Sequence, residues 1–78
     1  MSQLIFNAMM AEANAKEAKA LANLQVYMSN PAGIGEHPDV VAECTQLVKD
    51  IAEATEMKEA INTLISNIDK GEELWKQY

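Results

Sequence analysis

Hydrophobic residues recur every three or four positions in two long stretches of the chain, which a short segment rich in turn-forming residues separates. The second stretch has the clearer repeat, and its spacing is that of one face of an α-helix. Its apolar positions are Val40, Cys44, Leu47, Ile51, Ala54, Ile61, Ile65 and Ile68, with Val41, Val48 and Leu64 widening the stripe. Lys58 occupies the one position where the stripe lapses. This pattern predicts a helix over about residues 38–70, with Pro38 in its first position and Asp39 in its first turn.

The first stretch is rich in alanine and other strong helix formers, and it contains neither glycine nor proline. It predicts a helix over about residues 3–28, with Lys16 or Glu17 bordering a softer apolar stripe. That stripe consists of Phe6, Met9, Met10, Ala13, Ala20, Leu21, Leu24 and Met28. A loop over about residues 29–37 and a short helical tail over residues 71–78 complete the prediction. The predicted fold is therefore all-α, an antiparallel helical hairpin that forms a single domain over residues 1–78.

Two helices bury only one face of each, so a hairpin of this size has a thin core. Ile5, Met9, Val26 and Val41 add apolar surface beyond a single seam. We therefore expect hairpins to assemble into a homo-oligomeric helical bundle. The repeat departs from a clean heptad, which makes a long coiled coil the second choice. Whether the second helix kinks near Ala54 stays open.

The net charge of the chain disfavours some classes of binding partner. The 78 residues include six lysines, no arginine and twelve acidic residues, which gives a formal net charge of −6. This balance disfavours duplex nucleic acid and anionic membrane surfaces, because both repel an acidic protein. No apolar run approaches the length of a bilayer span, and no basic, continuously apolar signal segment begins the chain. We expect a cytoplasmic protein.

The sequence offers little for catalysis or metal binding. Cys44 and His37 are the single residues of their types, which is too few for a zinc site, and Cys44 lies on the apolar stripe as a core residue. His37 has no hydroxyl nucleophile near it in sequence, and the carboxylates of the second helix fit a solvated face. We expect a protein that is not an enzyme and needs no cofactor.

The loop is the most distinctive segment. Gly33 and Gly35 permit left-handed backbone geometry, and the helix start near His37 and Asp39 offers unpaired N–H groups to an anion. The alternative is that both glycines only reverse the chain and that His37 packs in the loop. Glu36 and Asp39 would also repel an anion.

Three residues of the first helix extend this candidate site. Lys16 and Lys19 are the only cations there, although nearby Glu12 and Glu17 also fit ion pairs on the helix surface. Tyr27 offers a ring for stacking, or it packs over the loop. The predicted ligand-binding set is Lys16, Lys19, Tyr27, Gly33, Gly35, His37 and Asp39.

The segment from Asn30 to Glu43, followed by Leu47-Val48 and residues 51–54, resembles a group of short uncharacterised proteins of large contractile-tailed phages. The specific part is Gly33 to Asp39, and the likeness covers roughly residues 24 to 65. This resemblance implies a viral protein made in the cytoplasm of an infected bacterium, and it carries over no functional residue.

Small helical phage proteins resemble two types, inhibitors of host defence and assembly or virion accessory proteins. The leading hypothesis is an oligomeric, non-enzymatic anti-defence sponge that sequesters a nucleotide-like immune signal between its copies. The alternative is a structural or adaptor module that docks on a phage or host protein through its apolar helix face.

Overall fold

A computed structural model describes residues 2–29 and 39–69 of the chain. Helix α1 spans Ser2–Ser29 and helix α2 spans Val40–Asp69, and the two pack along their length. The end of α1 lies beside the start of α2, while Glu17 near the middle of α1 contacts Lys58 further along α2. The prediction of an all-α antiparallel hairpin is confirmed. The predicted loop from residue 30 onward and the predicted tail lie outside the described residues.

Helix α2 begins immediately after Asp39, whose side chain caps it. The Asp39 Oδ1 atom accepts a hydrogen bond of 2.9 Å from the Ala42 N–H, and the Asp39 carbonyl accepts one of 3.1 Å from the Glu43 N–H. A carboxylate in this position satisfies a free N–H group and interacts favourably with the positive end of the helix dipole. The helix therefore starts within two residues of the predicted start at Pro38, with Asp39 before its first turn and Glu43 as the acid within it.

Helix α2 is continuous through the region of the possible kink, since it runs without interruption from Val40 to Asp69. Thr55 lies in the suspected region, and its hydroxyl donates a hydrogen bond of 3.0 Å to the carbonyl of Ile51, four residues earlier. This bond gives the polar side chain a partner within the helix.

The seam between the helices follows alternating steps of four and three residues on both sides, and every seam residue is buried or half-buried. In α1 the seam consists of Phe6, Met10, Ala13, Glu17, Ala20, Leu24 and Tyr27, and in α2 of Val40, Cys44, Leu47, Ile51, Ala54, Lys58, Ile61, Ile65 and Ile68. This is the heptad spacing of a coiled coil. The prediction of an irregular repeat is wrong, because Glu17 and Lys58 occupy seam positions that a search for apolar residues leaves empty.

The core is thin, as expected. Among the described residues, only Ala13, Ala20, Ala54 and Ile61 are buried. The alanines let the helices approach closely but contribute little apolar area. The hairpin measures 53 × 22 × 14 Å, so most of its surface lies on two broad faces.

Candidate interaction face

The seam spacing determines which residues each broad face displays. In an antiparallel pair, equivalent heptad positions that flank the seam of the two helices lie side by side. Leu21 and Met28 of α1 therefore share one broad face with Val41 and Val48 of α2. The structure agrees, since Met28, Val41 and Val48 line a single groove.

We call this side the neutral face, because no charged residue occupies its positions over residues 11–28 of α1 and 41–55 of α2, and Lys49 is the one charged residue at its edge. Its members are all exposed, and they are Ala11, Asn14, Ala18, Leu21, Gln25, Met28, Val41, Thr45, Val48, Ala52 and Thr55. The large apolar side chains among them are 49% (Leu21), 69% (Met28), 75% (Val41) and 53% (Val48) exposed. The sequence pattern counted all four in the apolar stripes of the helices, with Val41 and Val48 widening the second stripe, and it also expected Val41 to add apolar surface beyond the seam. The exposure of Val41 agrees with that last expectation, and the other three residues are exposed in the same way. They flank the seam and do not fill it.

An apolar groove of about 590 Å³ opens on the neutral face at the end of the hairpin where α1 finishes and α2 begins. Its walls are Leu24, Tyr27, Met28, Val40, Val41, Cys44, Thr45, Val48 and Lys49. Lys49 is the only charged residue among them. Cys44 is a free thiol and is half-buried, so it belongs partly to the seam and partly to the groove. The groove suits an apolar side chain better than a charged ligand.

The opposite broad face, which we call the charged face, carries polar contacts within and between the helices. It displays Lys16, Lys19 and Asn23 of α1 and Gln46, Asp50 and Glu53 of α2. Lys16 Nζ lies 2.8 Å from Glu53 Oε1, and Gln46 Nε2 donates a hydrogen bond of 3.1 Å to Asp50 Oδ1. The hydrogen bond to Glu53 raises the pKa of Lys16 above its ordinary value of 10.5, and the negative charges of Glu53 and Asp50 act in the same direction. Ion pairs within α1 were expected for Lys16, but its partner is on the other helix.

A second ion pair lies in the seam itself. Lys58 Nζ lies 2.9 Å from Glu17 Oε1, and the Thr55 hydroxyl oxygen lies 3.4 Å from Glu17 Oε2. Both charged side chains are only 26% exposed. Since only one alignment of the helices brings these groups together, the pair favours a single register.

The predicted ligand site is divided in this structure. Lys16 and Lys19 border a cleft of about 240 Å³ on the charged face, together with Asn23 and Asp50. Tyr27 lies in the apolar groove, where burial raises the pKa of its phenol and nearby Glu43 and Cys44 add to that effect.

The rest of the predicted site is at or beyond the start of α2. Asp39 caps that helix, and Gly33, Gly35 and His37 lie outside the described residues. The groove that contains Tyr27 includes neither Lys16 nor Lys19, and the cleft that contains both lysines does not include Tyr27.

The described part of the chain lacks metal-binding and membrane-spanning features. It contains no group of three His, Cys, Asp or Glu side chains placed to hold a metal ion, and no helix in it is long and apolar enough to cross a membrane. Its buried side-chain nitrogen and oxygen atoms all have hydrogen-bond partners.

Sequence reasoning missed the neutral face, although its signal was present in α1. All four charged residues of that helix, Glu12, Lys16, Glu17 and Lys19, lie within a sector made up of the seam and the charged face. The remaining sector is free of charge from Leu4 to Ser29. The chain matches no protein-family model, no curated protein and no solved structure.

Proposed function

We propose that this chain is a non-enzymatic protein-interaction module that binds its partner through the neutral face. The observation that carries the proposal is the contrast between an acidic chain of net charge −6 and one broad face that displays no charge over its central part. The centres of protein interfaces are depleted in charged residues. Contiguous apolar surface that stays exposed is also typical of a contact site.

The apolar groove gives this face a specific point of attachment. Met28 and Val41 stand at its rim with most of their surface exposed, while Leu24, Tyr27 and Cys44 at its walls are half-buried. A partner's apolar side chain placed there would cover both sets of residues. Such a well-packed central pocket is where binding energy concentrates in protein interfaces.

The proposed setting is the cytoplasm of a phage-infected bacterium, with the module acting on a host pathway or in phage assembly. The support for this setting is the resemblance of Gly33 to Asp39 to short phage proteins. The partner would then be a phage protein, including the chain itself, or a host protein.

Covalent capture tests the proposal, using a photoreactive amino acid placed at Val48 on the neutral face. Val26 is the matched control, since it is 54% exposed against 53% for Val48 but lies outside the neutral face. In bacterial cells that express the chain, we expect discrete protein adducts from position 48 and none of comparable yield from position 26. Equal yields at both positions, or no adduct from position 48, would refute the proposal.

Sequestration of a nucleotide-like signal is the second candidate, and Lys19 is the observation that favours it. Its ammonium group borders the cleft on the charged face and forms no ion pair with any described residue, unlike Lys16. Because Tyr27 lies in a different pocket, such a ligand would have to bridge neighbouring copies. Asp50, beside the cleft, opposes phosphate binding.

Native mass spectrometry of the chain with ATP and with a cyclic dinucleotide tests this second candidate. Bound nucleotide that disappears in Lys19→Ala would support it, with Lys49→Ala as the control for loss of one positive charge. Absence of any bound nucleotide would exclude it for these two ligands.

A further inference from the structure

We infer that the partner of the neutral face is a second copy of this chain, packed face to face about a two-fold axis to form a four-helix bundle. This inference rests on the proposed function, because it uses the same face. Three observations lead to a second copy: the surface area of the hairpin, the distribution of its charges and the composition of α1.

The accessible surface of the chain exceeds that of an average globular monomer of the same mass. Its accessible surface is 5846 Å². A compact monomer of 8.6 kDa exposes about 4,700 Å², so the excess is roughly 1,100 Å². A standard protein interface covers about 800 Å² of each partner. The excess therefore corresponds to about one interface per chain, and a broad face of 53 × 22 Å is large enough to provide it.

Charge selects which face two identical chains can share. Each copy carries a net charge of −6, so contact between two charged faces would bring Asp50 and Glu53 of one copy towards the same residues of the other. A two-fold interface places the same patch on both sides, and it must therefore be complementary to itself. The neutral face meets this condition better, because Lys49 at the groove wall is the one charge at its edge and the face offers both a groove and protruding apolar side chains.

Helix α1 has the composition of a helix that is covered on more than one side. Its seam faces α2, yet its opposite side is also free of charge and carries the alanines Ala8, Ala11, Ala15, Ala18 and Ala22. A helix that is apolar around most of its circumference is typically buried in an assembly. The small side chains also allow a helix of a second copy to approach closely.

Sedimentation equilibrium of the full chain over a wide range of concentration tests the inference. We expect the wild-type chain to reach twice its mass of 8.6 kDa. Val48→Glu places a carboxylate in the interface of each copy and should raise the dimer dissociation constant about a hundredfold or more. Val26→Glu adds the same charge at a position of equal exposure outside the face and should leave the constant within about threefold of the wild type.

Thermal unfolding supplies a second readout in case Val48→Glu fails to fold. The melting temperature of a dimer rises with protein concentration, whereas that of a monomer does not. We expect this dependence for the wild type and for Val26→Glu. A wild-type chain that stays monomeric, with a melting temperature independent of concentration, would overturn the inference. So would an assembly that persists in Val48→Glu.

The two proposals fail in different ways. A monomeric chain whose position 48 still captures another protein would overturn the second copy but leave the interaction module intact. A monomeric chain whose position 48 captures nothing would overturn both.

Discussion

The two broad faces of this hairpin share one seam but differ in how far the residues that flank the seam are buried. On the charged face, Lys16 and Asp50 flank the seam and are themselves half-buried. On the neutral face, the equivalent flanking residues, among them Leu21, Val41 and Val48, are all exposed. The hairpin thus covers one side of its core with its own side chains and leaves the other side open.

Side-chain length explains the difference. A lysine lays its methylene stem along the seam and still reaches a carboxylate on the other helix, as Lys16 does with Glu53. Valine and alanine are too short to reach across, so the neutral face leaves the groove above Leu24 and Cys44 uncovered. Long charged side chains therefore cover the core on the charged face. The neutral face has only shorter, uncharged side chains, which leave its groove accessible to a partner.

The contrast between the faces depends on the register of the two helices. Removing the Glu17–Lys58 ion pair tests what stabilises that register. Lys58→Met should destabilise the hairpin by about 1–2 kcal/mol, because it leaves the half-buried Glu17 carboxylate without its cation. Urea denaturation followed by circular dichroism, at one fixed protein concentration, measures this loss.

The control for that experiment replaces both partners. The double variant Glu17→Met/Lys58→Met should recover the stability of the wild type or exceed it, since two apolar side chains suit a seam position. A Lys58→Met variant as stable as the wild type would show that the pair does not stabilise the register.

Removing the Asp39 cap at the start of α2 should have a smaller effect on stability than removing Lys58. This end of α2 is where the groove of the neutral face begins. Asp39→Ala should cost about 1 kcal/mol, because the Ala42 N–H loses its acceptor. Asp39→Asn is the control, and it should retain most of the stability because asparagine caps almost as well. Faster hydrogen exchange at the Ala42 amide in Asp39→Ala alone would confirm the cap, whereas equal exchange in both variants would argue against it.

Much of this fold could be predicted from the sequence, because a hairpin follows from local pattern. The apolar period, the absence of glycine and proline from the first helix and the clustered turn residues identify two helices with ends within a few residues of the observed ones. The seam was predicted less well. Periodicity counts apolar residues, so it passes over Glu17 and Lys58 and includes Met28, which lies beside the seam.

The candidate site was harder to predict, because it depends on residues that are distant in sequence. Lys16 was considered with its neighbours Glu12 and Glu17, but Glu53 of the other helix is its partner. The openness of the neutral face is likewise a property of both helices together. Only the confinement of charge within α1 could have indicated it in advance.

The charged face should respond to salt in a way that the neutral face does not. Lys16→Ala should destabilise the hairpin slightly at low salt and less at high salt, because a solvent-accessible ion pair is weak and is screened. Lys49→Ala is the control, since Lys49 forms no ion pair within the described segments and its removal should not show the same salt dependence. The raised pKa of Lys16 means that the pair stabilises the fold below about pH 10.5 and is lost above it. Equal salt dependence in both variants would show that the pair contributes nothing.

The smallest expected effect is the shift in the pKa of Tyr27, whose side chain lines the groove. The pKa of its phenol is raised above the ordinary value of 10.0, with burial as the main cause. The folded state therefore holds this proton more tightly than the unfolded state, and the associated stability is present below pH 10 and lost as the pH rises above it.

The absorbance of tyrosinate in a Tyr78→Phe variant isolates Tyr27, and the same variant in urea provides the unfolded reference. We expect the folded chain to titrate at higher pH than the unfolded chain. Because a second copy on the neutral face would bury the groove further, the difference should grow with protein concentration in Tyr78→Phe and should not grow when Val48→Glu is added. A titration that is identical in folded and unfolded chains would place Tyr27 outside the groove. One that shifts with folding but not with concentration would mean that the groove stays open in solution.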